Sequence, residues 1–300
     1  MSLESLIILL PLFGGYLVPV KSRSLLARID LVLSGIVYLI LALMGLSLAQ
    51  VDNLASELGT IGVLLATLIV LTLGLNLAAL PLVDKRWPLA LDLGQSKQPL
   101  GKLVMESLKL ALVVAGGVAL GLVVTLPHSL VEQTANGALM VLLALIGIQL
   151  RGSNLGLRSI LLNPRGLAIA AVVALTSLAA GALTAVIHDL PLLHGVILAS
   201  GFGWYSLSGI LITDGLGPVL GSVAFLADLS RELIAIVLIP ALMRISPAGA
   251  IGYGGATAMD FTLPVLQQTG GPKVVPVAIV SGFLLSLATP ILIPFLLSLG

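Results

Sequence analysis

The chain has no cysteine, which excludes disulfides, thiol nucleophiles and cysteine-ligated metals. It has little charge: Asp, Glu, Lys and Arg make up 9% of its 300 residues, against about 25% in soluble domains. So few charged side chains cannot coat a water-soluble globule of this length, and the 58% of residues that are hydrophobic must face something other than water. A formal net charge of +1 and the lack of a long basic run argue against a nucleic-acid partner. Aromatics are scarce at 4%, whereas glycine is abundant at 33 residues. That balance suits helices packed closely in lipid, where small residues let backbones approach. His128, His188 and His194 fall in short polar breaks between apolar runs and read as loop residues, not metal ligands. No H-E-x-x-H, Walker A, serine nucleophile elbow or paired acidic run occurs. The motif content therefore calls for no cofactor and gives an enzyme no support.

What is present is a series of apolar runs long enough, or nearly so, to cross about 30 Å of hydrocarbon. They lie at roughly 4–20, 31–50, 59–83, 103–126, 137–150 and 166–187. With Glu4 near its start and no small-residue cleavage site before Lys21, the first run reads as a retained span. The breaks alternate between basic and not. Lys21, Arg23 and Arg28, then Lys85, Arg86, Lys97 and Lys102, then Arg151, Arg158 and Arg165 occupy every second one. The positive-inside rule makes those breaks cytoplasmic and puts the N-terminus outside.

Beyond residue 190 the pattern changes. Runs 195–213 and 249–268 are apolar but interrupted by Gly, Ser, Thr and Asp, as expected of re-entrant or broken segments lined by protein rather than lipid. Runs 216–243 and 274–298 are full crossings. The expectation is an all-α membrane protein with about eight transmembrane helices, two re-entrant or broken helical segments, and an outside C-terminus.

Two internal repeats emerge. An ungapped shift of 102 residues aligns ESLIILLPLFGG from Glu4 with ESLKLALVVAGG from Glu106, and LALMGLSL from Leu41 with LALIGIQL from Leu143. A shift of 54 pairs Gly195 with Gly249, Gly201 with Gly255, Gly217-Pro218 with Gly271-Pro272, and Leu238-Ile239-Pro240 with Leu292-Ile293-Pro294. Each repeat unit holds an odd number of crossings, so the copies are antiparallel. Inverted repeats with discontinuous helices are the architecture of secondary transporters. On this reading 1–188 is a six-span scaffold with an inverted three-helix repeat, and 189–300 is a transport core. A homodimer anchored on the scaffold suits that division.

Ionisable residues within such segments are functional hypotheses by default. Asp228, Arg231 and Glu232 lie in DLSRELIAI at the centre of the 216–243 run, and Asp260 lies in GGATAMDFTLP. Arg231 is close enough in sequence to neutralise Asp228 structurally, which leaves Glu232 outside that pairing. Glu232 and Asp260 come from opposite repeat copies, so two carboxylates meet near the pseudo-twofold axis. They attract a cation or share a proton. Half-helix N-termini freed by GFGWYSLSG and GGATAMD suit a substrate carboxylate. Tyr205, Ser206, Ser208 and Thr257 could add hydrogen bonds, and Trp204 could pack on an aliphatic stem; helix packing explains each of these equally well. The residues alone reach a cationic amino acid or a similar solute.

The stretches ASGFGWYSLSGIL (199–211), GPVLGSVAFLADLSRELIAI (217–236), GATAMDFTLPVLQQTGG (255–271), MGLSLAQVDNLASEL (44–58), ESLKL (106–110) and IGIQLR (146–151) resemble the LysO-type lysine exporters of bacterial inner membranes. The resemblance runs along essentially the whole chain. It implies export of L-lysine and its toxic analogue thialysine coupled to inward proton movement, with L-lysine, protons and the lipid bilayer as partners. The family's two essential intramembrane acids map onto Glu232 and Asp260, and its outside termini agree with the orientation above. Other readings left open by the residues are a sodium-coupled transporter of another amino acid or organic acid, a passive channel and a membrane-embedded enzyme.

Overall fold

The computed structural model describes residues 10–11, 13–20, 22–50, 54–89, 100–124, 127–152, 163–271 and 273–300. The start of the first expected span, much of the 84–102 loop and Arg158 lie outside the described residues. All regular elements among the described residues are helical: α1 (Arg23–Ala49), α2 (Leu54–Ala79), short α3 (Pro81–Arg86), α4 (Leu100–Gly121), α5 (His128–Gly152) and α6 (Pro164–Ile187). Then come α7 (Leu192–Leu198), α8 (Tyr205–Leu216), α9 (Pro218–Ile245), α10 (Pro247–Gly254), a 3-10 turn (Gly255–Met259), α11 (Leu263–Gly270) and α12 (Val274–Leu297). Leu31–Ala49, Ile61–Arg86, Pro164–Ile187 and Val274–Leu297 are long and apolar enough to cross a membrane. Helix α9 is longer still at 28 residues, about 42 Å, but carries Asp228, Arg231 and Glu232 at its middle.

Helix boundaries follow backbone hydrogen bonding more than hydropathy. The fifth expected span, 137–150, is the end of a longer helix. α5 begins at His128 and takes polar Gln133 into its ladder, because a backbone leaving water must keep its N–H and C=O groups paired whatever its side chains. The histidines belong to helices for the same reason. His194 lies within α7, and His188 caps α6 with its Nε2 2.8 Å from Thr67 Oγ1. Arg165, expected as a loop cation, lies in the first turn of α6 and is 5% exposed.

Packing separates two neighbourhoods. α1 lies against α4 and α5, whereas α9 and α12 gather α2, α6, α8 and the short helices around them. Glycine sets the closest approaches. A Cβ on Gly15 would stand 1.9 Å from the Ala144 carbonyl oxygen, and one on Gly117 would stand 2.2 Å from that of Ala42. Both pairs are related by the 102-residue shift, so the contact is reciprocal.

Two interruptions divide α7 from α8 and α10 from α11. Phe202 (φ 52°) and Gly203 (φ 98°) turn the first; Gly255 (φ 62°) turns the second. Past them, α8 ends on Gly217 (φ 88°, ψ 168°) and α11 on Gly271 (φ 82°, ψ 179°), nearly the same backbone conformation 54 residues apart. Each glycine is followed by a proline. Pro218 takes the first position of α9, where its missing N–H costs nothing.

Candidate functional site

The two interruptions meet. The Ala256 N–H donates to the Phe202 carbonyl at 2.9 Å, joining residues that the 54-residue shift makes equivalent. A Cβ on Gly255 would stand 2.1 Å from the same carbonyl, so the crossing requires glycine there. Helix α12 braces it: Thr289 Oγ1 donates to the Gly201 carbonyl at 3.2 Å, and a Cβ on Gly282 would lie 2.7 Å from the Met259 nitrogen.

Helix α9 braces it from the other side with opposite charges. Asp228 accepts the Gly203 N–H at 2.8 Å and the Ser208 hydroxyl at 2.6 Å. It therefore holds the first interruption, just ahead of α8. Arg231 donates through Nε to the Tyr253 carbonyl at 2.9 Å and through Nη2 to that of Gly252 at 3.0 Å. Its Nη1 reaches Ser177 Oγ on α6 at 3.3 Å, and Asn76 on α2 donates to the same oxygen at 3.3 Å. An anion near a helix start and a cation at a helix end both complement the backbone dipole. No ion-pair contact joins Asp228 to Arg231 among the described residues. The direct neutralisation expected from their spacing is replaced by two separate anchors, because each charge finds backbone groups that only it can satisfy.

Glu232 follows on α9 and is 1% exposed. Asp260 lies just past the 3-10 turn, exposed, and accepts the Phe261 N–H at 2.5 Å. Tyr205, the first residue of α8, is within electrostatic reach of both carboxylates and of Tyr38 on α1. Its ring meets Phe225 edge-on at 6.0 Å between centroids. One aromatic hydroxyl thus lies within electrostatic reach of an acid from a continuous helix and an acid from the second interruption.

The remaining candidates divide. Trp204 is half-buried against two apolar clusters, and Ser206 is half-buried. Thr257 is buried and donates to the Gly254 carbonyl at 2.8 Å, closing the turn. Thr257, Ser208, Asp228 and Arg231 hold the crossing together, whereas Glu232 and Asp260 each lie within electrostatic reach of Tyr205.

Sequence reasoning missed a part-buried ion pair. Arg165 Nη2 lies 2.6 Å from Asp84 Oδ1. Asp84 also accepts the Ser246 hydroxyl at 2.5 Å and the Ala248 N–H at 3.1 Å. It thereby ties the end of α3 to the starts of α6 and α10. The one available signal was Asp84 standing as an acid beside Lys85 and Arg86.

Long apolar helices, glycine-mediated backbone contacts and an ionisable cluster inside the helical packing define a multi-pass membrane protein. Comparison with known families matches residues 111–297 to the family described as lysine exporter LysO. The lysine exporter LysO of Escherichia coli strain K12 is 50% identical over 97% of each chain. A putative lysine exporter of Haemophilus influenzae is 43% identical over 52% of this chain and 80% of its own. No solved structure matches. The chain belongs to the lysine exporter LysO family.

Proposed function

We propose that this chain is a secondary active exporter of L-lysine, and of thialysine, exchanging the outgoing cation for protons at Glu232 and Asp260. What supports the reading is that Glu232 and Asp260 each lie within electrostatic reach of Tyr205, beside the crossing of two interrupted helices. An exposed carboxylate next to buried helix tips in a membrane protein calls for a water-filled space, since lipid would not tolerate the charge. Two carboxylates that alternate between a lysine side-chain ammonium and protons couple the two movements. Exchange of a cation for a proton also cancels the work of moving one net charge outward, about 2.3 kcal/mol per 100 mV.

The topology we attach to this reading is eight crossings and two re-entrant segments in a bacterial inner membrane, with both termini outside. Asp84 ties together the starts of α6 and α10, and Asn163 Nδ2, beside the start of α6, reaches the Pro276 carbonyl near the start of α12 at 3.2 Å. Those contacts favour a common face for the beginnings of α10 and α12, which suits 247–270 as a segment that enters and leaves there. With α6 and α9 as crossings, this topology has 192–216 enter and leave at the opposite face. The paired Gly217 and Gly271 conformations and the reciprocal Gly15–Ala144 and Gly117–Ala42 approaches favour inverted repeats in both regions. A homodimer through the 1–188 region would hold that part still while 189–300 moves.

The test is uptake of radiolabelled lysine into everted vesicles under an imposed pH gradient, with Glu232→Gln and Asp260→Asn alongside. Uptake is expected to require an acidic interior and to vanish in both variants while each still purifies as a folded protein. Uptake driven equally by a sodium gradient, or retained in both variants, would overturn the assignment.

A further inference from the structure

A small cavity of about 20 Å³ lies beside the crossing, where α2, α7, α9 and α10 meet. Thr72 on α2, Leu198 on α7, Ala227, Asp228 and Arg231 on α9, and Tyr253 on α10 line it. A water molecule needs about 10–15 Å³ of such space, so there is room for one. Pockets for drug-sized ligands run about 300–1,000 Å³, so an amino acid does not fit.

The polar groups on its walls have bonding capacity left over. Arg231 gives Nε–H to the Tyr253 carbonyl, one Nη2–H to the Gly252 carbonyl and one Nη1–H to Ser177. That leaves one N–H on each terminal nitrogen of the guanidinium. Asp228 accepts the Gly203 N–H on one oxygen and the Ser208 hydroxyl on the other, whereas a carboxylate offers about four acceptor positions. Thr72 spends its carbonyl on Asn76 Nδ2 at 2.7 Å, but its hydroxyl has no hydrogen-bond partner among the described residues. Asp228 and Arg231 are both buried and both line this space without an ion-pair contact between them. The guanidinium on the wall disfavours a metal cation, and the carboxylate disfavours an anion. Water is donor and acceptor at once and satisfies both, and the buried N–H groups left on Arg231 favour it over a dry cavity.

We propose that this cavity binds one water molecule, which accepts from an Arg231 N–H, donates to the Asp228 carboxylate and bonds the Thr72 hydroxyl. Asp228 holds the first interruption and Arg231 the second, so the water links the two anchors and completes a bridged charge pair where no direct contact exists. The site follows from the crossing and does not depend on which solute is carried.

The test is X-ray hydroxyl-radical footprinting of the full chain purified in detergent, because radicals generated from a bound water oxidise the side chains around it. Tyr253 and Leu198 are each 1% exposed, as is Leu142 on α5, which is not among the lining residues. Tyr253 and Leu198 are expected to be oxidised and Leu142 to be spared. Exchanging sodium for potassium or choline should leave both yields unchanged, and Ala227→Val, which fills the cavity from the α9 wall, should abolish them. No label at Tyr253 and Leu198, label that persists in Ala227→Val, or yields that fall as sodium rises would each overturn the water site, the last in favour of a bound cation. Thr72→Val exchanges the hydroxyl for a methyl of nearly the same shape and should lower the melting temperature by about 2 °C through loss of one bond to the water. A variant that melts with the wild type or above it would likewise overturn the site.

Discussion

Replacing Arg231 with methionine keeps an unbranched stem and removes the guanidinium that holds the end of α10. The group is 4% exposed and donates to two backbone carbonyls at 2.9 and 3.0 Å and to Ser177 at 3.3 Å. It also lies over the Tyr253 ring at 5.3 Å. Gly252 and Tyr253 are buried, so losing those donors leaves their carbonyls unsatisfied, at about 1–3 kcal/mol each. With two carbonyls stranded, Arg231→Met should destabilise by about 2–6 kcal/mol, a large part of a typical total of about 5–15. Lysine at this position keeps the charge but cannot fork across both carbonyls and Ser177, so Arg231→Lys should fall between the wild type and Arg231→Met. The assay is thermal unfolding of detergent-purified protein, with Glu232→Gln as the contrast, since that variant should lose transport while melting near the wild type. An Arg231→Met protein that melts with the wild type would refute the anchoring argument.

Adjacent glycines on α4 should behave in opposite ways. Gly116→Ala meets nothing within 4 Å and should be neutral or gain up to about 1 kcal/mol of helix propensity, whereas Gly117→Ala drives a methyl into the Ala42 carbonyl and should lower the melting temperature. At the crossing, Gly255→Ala combines a left-handed φ with a contact on the Phe202 carbonyl. It should destabilise more than Gly217→Ala, where the space is open and the cost is the backbone strain of φ 88°, ψ 168°, about 1–3 kcal/mol. Arg165→Met should cost about 1.5–3 kcal/mol by taking the charged donor from part-buried Asp84, and adding Asp84→Asn should recover part of that loss; a double variant no more stable than Arg165→Met would speak against the pair.

Membrane residence, the interruptions near 200 and 256 and the charged middle of α9 were legible in the sequence because lipid imposes local rules. Every spanning residue must be apolar or excused, and every backbone group must be paired, so glycine clusters and intramembrane charges declare themselves one at a time. The long-range partners were not legible. That Asp228 takes the first interruption and Arg231 the second depends on how α9 is rotated against both tips. Asp84 finds Arg165 across 81 residues and Ser246 across 162, and no local pattern encodes such choices. Tyr205 was named among several hydroxyls, but its lying within electrostatic reach of both Glu232 and Asp260 follows only from the tertiary packing. Solvent chemistry acts residue by residue and is written along the chain, whereas the convergence of side chains is settled by packing, which no single segment carries.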